Sequence, residues 1–381
     1  MKIVIAPDSY KESLSAMEVA NEIERGFREV LPNADYVKVP VADGGEGTVQ
    51  SLVDATGGKI IELTVIGPLG EPVSAHYGIL GGENTHTAVI EMAAASGLQH
   101  VPHSRRDPQY TTSYGTGELI CHALNAGIKH IILGLGGSAT NDGGVGMLQA
   151  LGAHFLDAHG QPISPGGAAL AQLCTIDISQ LHPGLSRCQL EVACDVNNPL
   201  CGSNGASAVF GPQKGATTEM IEQLDKALSQ LADVTATQTL TDHRHSPGAG
   251  AAGGMGFAVL AFLNADLKPG IDIVMKAVGL ANTLKGATLA ITGEGRLDSQ
   301  TLHGKTPMGV TREANKLGIP VIAIAGCVSD DANILLEHGI DAIFSITPRA
   351  MALESVLSNA KHNLYTTSIN IAALYNTNRP R

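Results

Sequence analysis

Tryptophan is absent from the 381 residues, and aromatic residues make up only 3% of them. This scarcity argues against a surface on which sugars or nucleobases stack. Charged residues are also few, at 16%, and 36 acidic residues outnumber 24 basic ones, so the net charge is -12. Sequence-independent binding to nucleic acid needs a cationic protein surface that faces the phosphates. We therefore expect no nucleic-acid partner.

The chain also lacks the cysteine spacing of a metal site and the apolar length of a membrane span. Its six cysteines show no C-x-x-C pattern, so we expect buried, reduced thiols rather than disulfides or structural zinc. The most apolar later stretch, residues 254–263, is about half as long as a membrane span. The apolar run at residues 2–6 is too short for a signal-peptide core, since Asp8 follows almost at once. We therefore expect a cytoplasmic protein without a membrane partner.

Three common catalytic signatures are missing. The nearest approach to the Walker A pattern G-x-x-x-x-G-K-[ST] is Gly304-Lys305-Thr306, which has Ser299 where the first glycine should stand. Phosphate binding by a P-loop is therefore excluded. The patterns G-x-S-x-G and H-E-x-x-H are also absent, so a hydrolase nucleophile elbow and a zinc protease lose support.

Hydrophobic residues make up 44% of the chain, enough for a large core, and the length predicts two or three domains. The first residues read as an apolar strand at 2–6, a helix that begins with a capping box of Ser15 and Glu18, and a strand at 36–41. The same pattern returns near the end, with strands at 288–292, 320–325 and 341–346 and helices near 306–317 and 331–338. These repeats predict an open, doubly wound parallel α/β sheet of the flavodoxin/Rossmann-like class.

The stretch between these two regions departs from that pattern. Hairpin-like strands at 66–80 and 86–91 are followed by helices and strands that long glycine loops separate. We interpret residues 63–285 as a mixed α/β domain inserted into a discontinuous parallel α/β domain of residues 1–62 and 286–381. We expect the active site in the cleft between the two domains. One continuous sheet in three layers is the alternative.

Polar loops follow the first two predicted strands, at the edge where open α/β sheets bind ligands. Asp8, Ser9 and Lys11 place a carboxylate, a hydroxyl and a cation within four residues. Farther on, Asp43 precedes the glycines at 44–47. Its carboxylate suits a divalent cation, and the glycine amides suit an anion.

A glycine-rich loop follows the predicted strand at 130–133. Six glycines between Leu133 and Gly146 are more than packing alone explains, since each costs conformational entropy on folding. The pattern G-x-G-x-x-A is compatible with a dinucleotide-binding site, but it is a weak signal alone. The many backbone amides of a glycine-rich loop favour phosphate binding. Ser113 precedes a predicted helix at 117–126, whose N-terminus offers another anion site. We assign phosphate and nucleotide binding to Gly136, Gly137, Ser138, Thr140, Gly143, Gly144, Lys214 and Gly293.

Two later strands also end in polar residues. Asp195 follows the apolar run at 190–194, with Asn197 close behind it. Arg296 follows the strand at 288–292 in what we interpret as a tight loop, and its planar guanidinium suits a carboxylate. The glycine run at 248–256 has two open interpretations, a close helix contact or the approach of a ligand.

Five of these stretches, in this order, resemble those of the bacterial class I glycerate kinases (glycerate 2-kinases). The resemblance extends from residue 2 to about residue 350. The stretches are 6–13, 42–48, 136–144, 211–215 and 292–296. The resemblance implies ATP-dependent phosphorylation of D-glycerate. It also implies a flavodoxin-like domain with a second α/β domain inserted into it.

Within that activity, the residues themselves suggest the roles. Asp195 is the predicted base and Asp43 the predicted Mg²⁺ ligand, and each is the rival candidate for the other role. Lys11 and Arg296 are assigned to catalysis and to holding the anionic groups of the substrates. The residues assigned to substrate binding are Asp8, Ser9, Lys11, Asn197 and Arg296. The expected cofactor is ATP with Mg²⁺, and the expected product is 2-phosphoglycerate, in the catabolism of hydroxy acids.

Three alternatives stay open. Phosphorylation of the 3-hydroxyl is one, and a non-catalytic sensor that binds a hydroxy acid is the second. A nicotinamide-dependent oxidoreductase, resting on the G-x-G-x-x-A pattern, is the third. The sequence leaves the oligomeric state open, and a homodimer is among the possible assemblies.

Overall fold

The computed structural model describes residues 1–239 and 241–377. Its strands are β1 (Lys2–Ile5), β2 (Asp35–Lys38), β3 (Lys59–Ile66), β4 (Pro72–Ile79), β5 (Thr87–Glu91), β6 (His130–Gly134), β7 (His154–Leu156), β8 (Thr175–Asp177), β9 (Gln189–Ala193), β10 (Asp266–Lys268), β11 (Leu289–Leu297), β12 (Val321–Val328) and β13 (Ala342–Ser345). Its helices are α1 (Ala16–Val30), α2 (Thr48–Thr56), α3 (Ala93–Ser96), α4 (Tyr114–Asn125), α5 (Val145–Ala150), α6 (Ala206–Phe210), α7 (Thr218–Thr239), α8 (Ala251–Phe262), α9 (Gly270–Ala277), α10 (Leu280–Leu284), α11 (Thr306–Asn315), α12 (Ile334–Glu337), α13 (Leu353–Ser358) and α14 (Ala360–Thr377).

The chain divides into two compact units. Unit 1 consists of Met1–Asp43, Gln50–Gly58 and the described residues from Gly270 onward, and unit 2 consists of Gly44–Val49 and Lys59–Pro269. These limits differ from the boundaries expected at 62/63 and 285/286. A boundary after residue 62 would divide β3, all eight residues of which pair with β4.

Unit 1 is built on a five-stranded parallel sheet in the order β13-β12-β11-β1-β2. The strand β1 lies inside this sheet, and Ile3, Val4 and Ile5 are fully buried. That position explains why Ile3, Val4 and Ile5 are all apolar, since a strand that is covered on both faces has no polar side. Unit 2 contains a six-stranded mixed sheet in the order β10-β9-β6-β5-β4-β3 and a small antiparallel pair, β7-β8. The predicted fold class is therefore confirmed.

The predicted start of α1 is also confirmed. The Glu18 amide donates to Ser15 Oγ (3.2 Å), and the Ser15 amide donates to Glu18 Oε2 (3.0 Å), which completes the capping box. The buried side of α1 includes Ile23 and Phe27, and α14 contributes Leu364 to the same apolar core. Burial of this face, rather than helix propensity alone, holds the helix in place.

One prediction about unit 1 is wrong. The residues after 292 were expected to form a tight loop, but β11 continues to Leu297 and pairs with β12, so that Arg296 lies opposite Cys327. A side chain at Gly293 would overlap the carbonyl oxygen of Ile324, so the close approach of β12 accounts for this glycine. The strand therefore tolerates glycines that the sequence suggested were loop residues.

In unit 2, the parallel part of the sheet is formed by β5, β6, β9 and β10. The strands β3 and β4 form an antiparallel hairpin that joins β5. A hairpin was expected within residues 66–80, but its first strand, β3, begins at Lys59. The core of the unit packs on this sheet and includes Tyr77, Leu133 and Phe257, all fully buried. The carboxyl ends of four parallel strands thus share one edge of the sheet.

The glycine run at 248–256 makes a close backbone contact. Residues Ala252, Gly253 and Gly254 take left-handed dihedral angles at the start of α8. A side chain at Gly253 would overlap the carbonyl oxygen of Thr140, and the Gly143 amide donates to the carbonyl oxygen of Gly253 (3.0 Å). Of the two interpretations of this run, the structure favours packing.

The cysteine and membrane predictions can also be compared with the structure. All six cysteines are free thiols. The expectation of burial is wrong for Cys174 and Cys327, which are exposed, whereas the other four are half-buried. Within the described residues, no helix has both the length and the apolar character needed to cross a membrane.

We expect Gly253→Ala to destabilise the protein more than Gly160→Ala. Both glycines have positive φ, 67° at Gly253 and 71° at Gly160, but Gly160 has open space where a Cβ would lie. The left-handed conformation alone costs an alanine about 1–2 kcal/mol. Overlap with Thr140 adds about 1–3 kcal/mol at Gly253. Urea unfolding of the two variants measures the difference, and equal losses would contradict the contact.

Candidate active site

Three segments of unit 1 meet at the carboxyl edge of its sheet. The Asp8 amide donates to the carbonyl oxygen of Gly293 (2.8 Å), and the Val41 amide donates to that of Pro7 (3.0 Å). The loop after β1 therefore lies between β11 and the segment that leads to Asp43. The sequence placed Asp8 and Asp43 on neighbouring loops of one sheet, and the structure has them there.

The Asp8 carboxylate is held by its neighbours. Its Oδ2 accepts from Thr306 Oγ1 (2.6 Å) and its Oδ1 accepts from the Ser9 amide (2.6 Å). Ser9 Oγ also donates a hydrogen bond to Asp8 Oδ1 (3.3 Å). Burial, and after it the negative charge of half-buried Asp43, raises the pKa of Asp8 to about 6. The carboxylates of Asp8 and Asp43 therefore lie close enough for each negative charge to disfavour the other.

A third carboxyl group, that of Glu294, belongs to this environment. Burial raises its pKa to about 7, and the negative charges of Asp8 and Asp43 act in the same direction. Thr301 Oγ1 donates to it (2.7 Å) and Lys305 Nζ lies 3.6 Å away, and both oppose the rise. We call Asp8, Asp43 and Glu294 the carboxylate cluster. The sequence suggested no role for Glu294, because it reads there as one residue of a glycine loop.

The two predicted catalytic cations lie at the surface of unit 1. Lys11 is exposed, in the turn after Tyr10, and its backbone lies beside Gly295. The side chain of Arg296 is 67% exposed, and its Nε lies 3.2 Å from Ser329 Oγ and 3.3 Å from Asp298 Oδ2. Lys11 lies after β1 and Arg296 lies within β11, the strand that pairs with β1.

Unit 2 presents a comparable edge. Glu91, Gly134, Ala193 and Lys268 end four adjacent parallel strands in register, and the glycine loop at 134–146 follows the second of them. The Glu91 carboxylate accepts from the Val49 amide (2.8 Å), and burial raises its pKa against the effect of this bond. The segment Gly44–Val49 is thereby attached to this edge. Sequence reasoning missed Glu91, which looks like the last polar residue of a strand.

A fully buried carboxylate organises the second half of the glycine loop. Asp142 Oδ2 accepts from the amide and the hydroxyl of Ser113 (2.8 Å each) and from the Gly146 amide (3.2 Å), and Oδ1 accepts from the Gly144 amide (3.1 Å). Burial raises the pKa of Asp142, and these bonds oppose the rise. The anion site expected at the start of α4 is therefore filled by the chain's own carboxylate.

A buried lysine organises the first half of the loop. Lys214 is 1% exposed, and its Nζ donates to Ser138 Oγ (2.8 Å) and to the carbonyl oxygen of Thr140 (2.7 Å). Burial lowers the pKa of Lys214 to about 7, and the charge of Asp142 acts in the opposite direction. Lys214 and the glycine loop are therefore in contact in the structure. The sequence predicted phosphate binding for both but did not predict a contact between them.

The backbone amides of the loop fall into two groups. Those of Gly143 and Gly144 are engaged by Gly253 and Asp142, as described above. Those of Gly136, Gly137 and Ser138 donate no hydrogen bond within the described parts of the chain, and both glycines are exposed. Unpaired amides at the end of a parallel strand form an anion-binding concavity.

Two buried side-chain atoms of the same loop lack partners. Across residues 1–239 and 241–377, Thr140 Oγ1 and Asn141 Oδ1 are among the buried atoms without a hydrogen-bond partner. Buried polar atoms are normally satisfied by protein or by an ordered polar group. These two oxygen atoms could therefore form hydrogen bonds to a small polar group bound at the loop.

Asp195 and Asn197 follow β9 at this edge, and both are exposed. Their exposure is consistent with contact to a ligand. The assignments of the site residues, including Asp43 to a metal, stay predictions. So does the expected position of the active site between the domains.

The arrangement of the potential metal ligands bears on the expected Mg²⁺ site. Where the structure describes the chain, no group of three or more His, Cys, Asp and Glu side chains is arranged to hold a metal ion. Mg²⁺ is commonly bound by one or two carboxylates with substrate phosphates, so a complete protein cage is not required.

Comparison with known proteins decides the family. The statistical model described as the glycerate kinase family matches residues 3–376. The chain belongs to the glycerate kinase family. It is 58% identical over 373 residues to the glycerate kinase of Bacillus subtilis (strain 168), covering 98% of this chain and 97% of the relative. It is 57% identical over 373 residues to the glycerate 2-kinase of Escherichia coli (strain K12), with the same coverage.

A crystal structure from Salmonella typhimurium LT2, of a protein described provisionally as glycerate kinase 2, has the same fold. The TM-score is 0.91 at 57% identity, over 99% of this chain and 98% of that one. The resemblance inferred from five short stretches is confirmed. The protein is therefore an enzyme, a kinase.

We expect Glu294→Gln to stabilise this kinase more at pH 8 than at pH 5. The folded-state pKa of Glu294, about 7, lies above its ordinary value of 4.5. Its contribution to stability is therefore present below pH 4.5 and is lost as the pH rises through 7. Glutamine cannot ionise, so the gain over wild type grows across this window, by at most about 1.4 kcal/mol per pH unit.

The measurement is urea unfolding of both proteins at pH 5 and pH 8. The matched control is Glu354→Gln, an exposed residue of unit 1, which should give the same small difference at both pH values. An equal effect of Glu294→Gln at the two pH values would contradict the burial of its charge.

Proposed function

We propose that the protein transfers the γ-phosphoryl group of ATP to D-glycerate and forms 2-phosphoglycerate, in the catabolism of hydroxy acids. The carrying observation is the match over nearly the whole chain to relatives named glycerate kinase, at up to 58% identity. The name of the Escherichia coli relative, glycerate 2-kinase, supports transfer to the 2-hydroxyl. A cytoplasmic location and a homodimeric assembly stay predictions.

The glycine loop of unit 2 is the proposed phosphate site. Phosphoryl transfer depends on positioning and charge neutralisation more than on covalent chemistry by the protein. The amides of Gly136, Gly137 and Ser138 supply unpaired donors, and Thr140 supplies a hydroxyl without a partner in the described chain. Gly143 and Gly144 act indirectly, by shaping the loop through bonds that their amides already make.

Two members of the carboxylate cluster, Asp8 and Asp43, suit a divalent cation that substrate phosphates also bind. Asp8 and Glu294 both have raised pKa values, partly because each lies near other negative charges. A cation relieves this repulsion, and carboxylate oxygens are the protein ligands that Mg²⁺ takes. Asp43, with Asp8 beside it, would hold the ion. When bound, Mg²⁺ neutralises charge on the phosphoryl oxygens.

The remaining roles are assigned by chemistry. Asp195 accepts the proton of the attacking hydroxyl, with Asp43 as the rival candidate. Lys11 and Arg296, both exposed cations, hold the anionic groups of the substrates. Asn197, also exposed, hydrogen-bonds a glycerate hydroxyl. Ser9 acts through Asp8, because its hydroxyl donates to that carboxylate.

The activity itself is the first test. The purified protein with Mg²⁺-ATP and D-glycerate should release ADP above a control without glycerate, and phosphorus NMR should identify a 2-phosphate. A 3-phosphate would replace the proposed product by its isomer. Binding of glycerate without any ADP release, over a range of pH and divalent metals, would favour the sensor instead.

We expect Asp195→Asn to lower kcat about a hundredfold or more while the melting temperature stays unchanged. Asparagine keeps the shape and the hydrogen bonds of the side chain but cannot accept a proton as a base does. The matched control is Asp266→Asn, an exposed aspartate that begins β10 at the opposite edge of the sheet. A loss of stability with normal kcat would make Asp195 structural and leave Asp43 as the candidate base.

A further inference from the structure

The burial of Lys214 is the observation from which a further role follows. Its side chain ends a short 3-10 turn, Pro212–Lys214, and only 1% of the residue is exposed. Both hydrogen bonds of its Nζ go to the glycine loop, to Ser138 and Thr140. The ammonium group is thus enclosed by the protein, and the contacts that its Nζ makes are to the glycine loop.

The hydrogen atoms of the Lys214–Ser138 contact can be assigned from chemistry. An ammonium group has three donors and no acceptor, so Ser138 Oγ must accept in this bond. The hydrogen of the Ser138 hydroxyl then needs another acceptor. Nowhere in the described chain does Ser138 Oγ donate a hydrogen bond. The Ser138 hydroxyl can therefore still donate a hydrogen bond to another group while it accepts one from Lys214.

This spare donor lies in a segment with other spare donors. The amides of Gly136, Gly137 and Ser138 are unpaired within the described residues, and the two glycines are exposed. Ser138 directly follows these two exposed glycines and is itself 6% exposed, so its hydroxyl lies next to the exposed part of the loop while it contacts Lys214. A phosphoryl group has three oxygen acceptors, which suits this set of donors.

We propose that Lys214 is a positioning residue for phosphate binding: its ammonium fixes the Ser138 hydroxyl as a donor to a phosphoryl oxygen of the nucleotide. Lys214 does not touch the nucleotide. This inference rests on the proposed binding of ATP by the glycine loop. It changes the expected role of Lys214 from direct phosphate contact to action through Ser138.

The electrostatics of the loop agree with this role. Burial of the ammonium lowers the pKa of Lys214 to about 7, so the charge is costly in the free protein. The carboxylate of Asp142 favours the charged form, and a phosphate bound at Gly136–Ser138 would favour it further. A neutral amine would also be able to accept the Ser138 hydrogen, whereas the charged one cannot.

The test is a double-mutant cycle of Ser138→Ala and Lys214→Met. Each variant is assayed for the Kd of ADP by calorimetry and for kcat and both KM values with ATP and D-glycerate. We expect each single variant to weaken nucleotide binding about ten- to hundredfold, the range for a hydrogen bond to a charged group. The double variant should bind no more than about threefold more weakly than the weaker single variant, because both changes remove the same donor to the phosphoryl group, the Ser138 hydroxyl.

Two readouts separate positioning from general damage. The KM for glycerate should change less than about threefold in each variant. If a substitution instead unfolds the loop, kcat and the free energy of unfolding should both fall. Lys226→Met is the matched control, an exposed lysine on α7 of the same unit, and it should leave all constants unchanged. If Lys214→Met unfolds at the assay temperature, Lys214→Gln takes its place in the cycle.

Additive effects of the two substitutions, or normal nucleotide binding by Ser138→Ala in an active enzyme, would overturn the inference and leave the proposed function intact. A wild-type protein that binds neither ATP nor ADP would overturn both. The two failures are therefore distinguishable.

Discussion

The burial of two opposite charges is the constraint on which the glycine loop depends. The Asp142 carboxylate has no access to water, and it is stable there because it accepts four hydrogen bonds from Ser113, Gly144 and Gly146. Those donors lie at the starts of α4 and α5, so one carboxylate fixes where both helices begin. An isolated buried charge is prohibitively costly, so every partner must stay in place for the loop to keep its shape.

Lys214 extends this arrangement to the first half of the loop. Because the ammonium and the carboxylate act on opposite halves, the exposed stretch at Gly136 and Gly137 is supported from its buried side without any contact to its amides. Preorganised donors cost little reorganisation when an anion arrives. The unpaired amides therefore owe their availability to groups that a ligand does not meet.

Local signals were enough to predict much of the fold. The apolar run in β1 and the Ser15–Glu18 capping box each depend on residues close in sequence, and both predictions are confirmed. The order of polar loops after successive strands likewise predicted Asp8 and Asp43 at one edge. Parallel strands impose this outcome, whatever the details of packing.

The parts that could not be predicted depend on distant partners. Asp142 looks like a turn residue until Ser113 is brought to it, and Arg296 looks like a loop residue until β12 pairs with its strand. Glu294 follows a glycine and precedes another, which disfavours a strand locally, yet the ladder with β12 continues through it. Long-range pairing overrides local propensity in each case.

The pairing of β1 with β11 also has a consequence for how the protein is made. Ile3 lies beside Leu289, so β1 gains this neighbour only after the roughly 285 residues between them have been synthesised. At an elongation rate of roughly 20 residues per second, this takes about 15 s. The sheet of unit 2 closes its ladders entirely within residues 59–268 and needs no such delay. We therefore expect unit 2 to complete its sheet during synthesis before unit 1 does, while β1 stays without its neighbour β11 until that strand has been made.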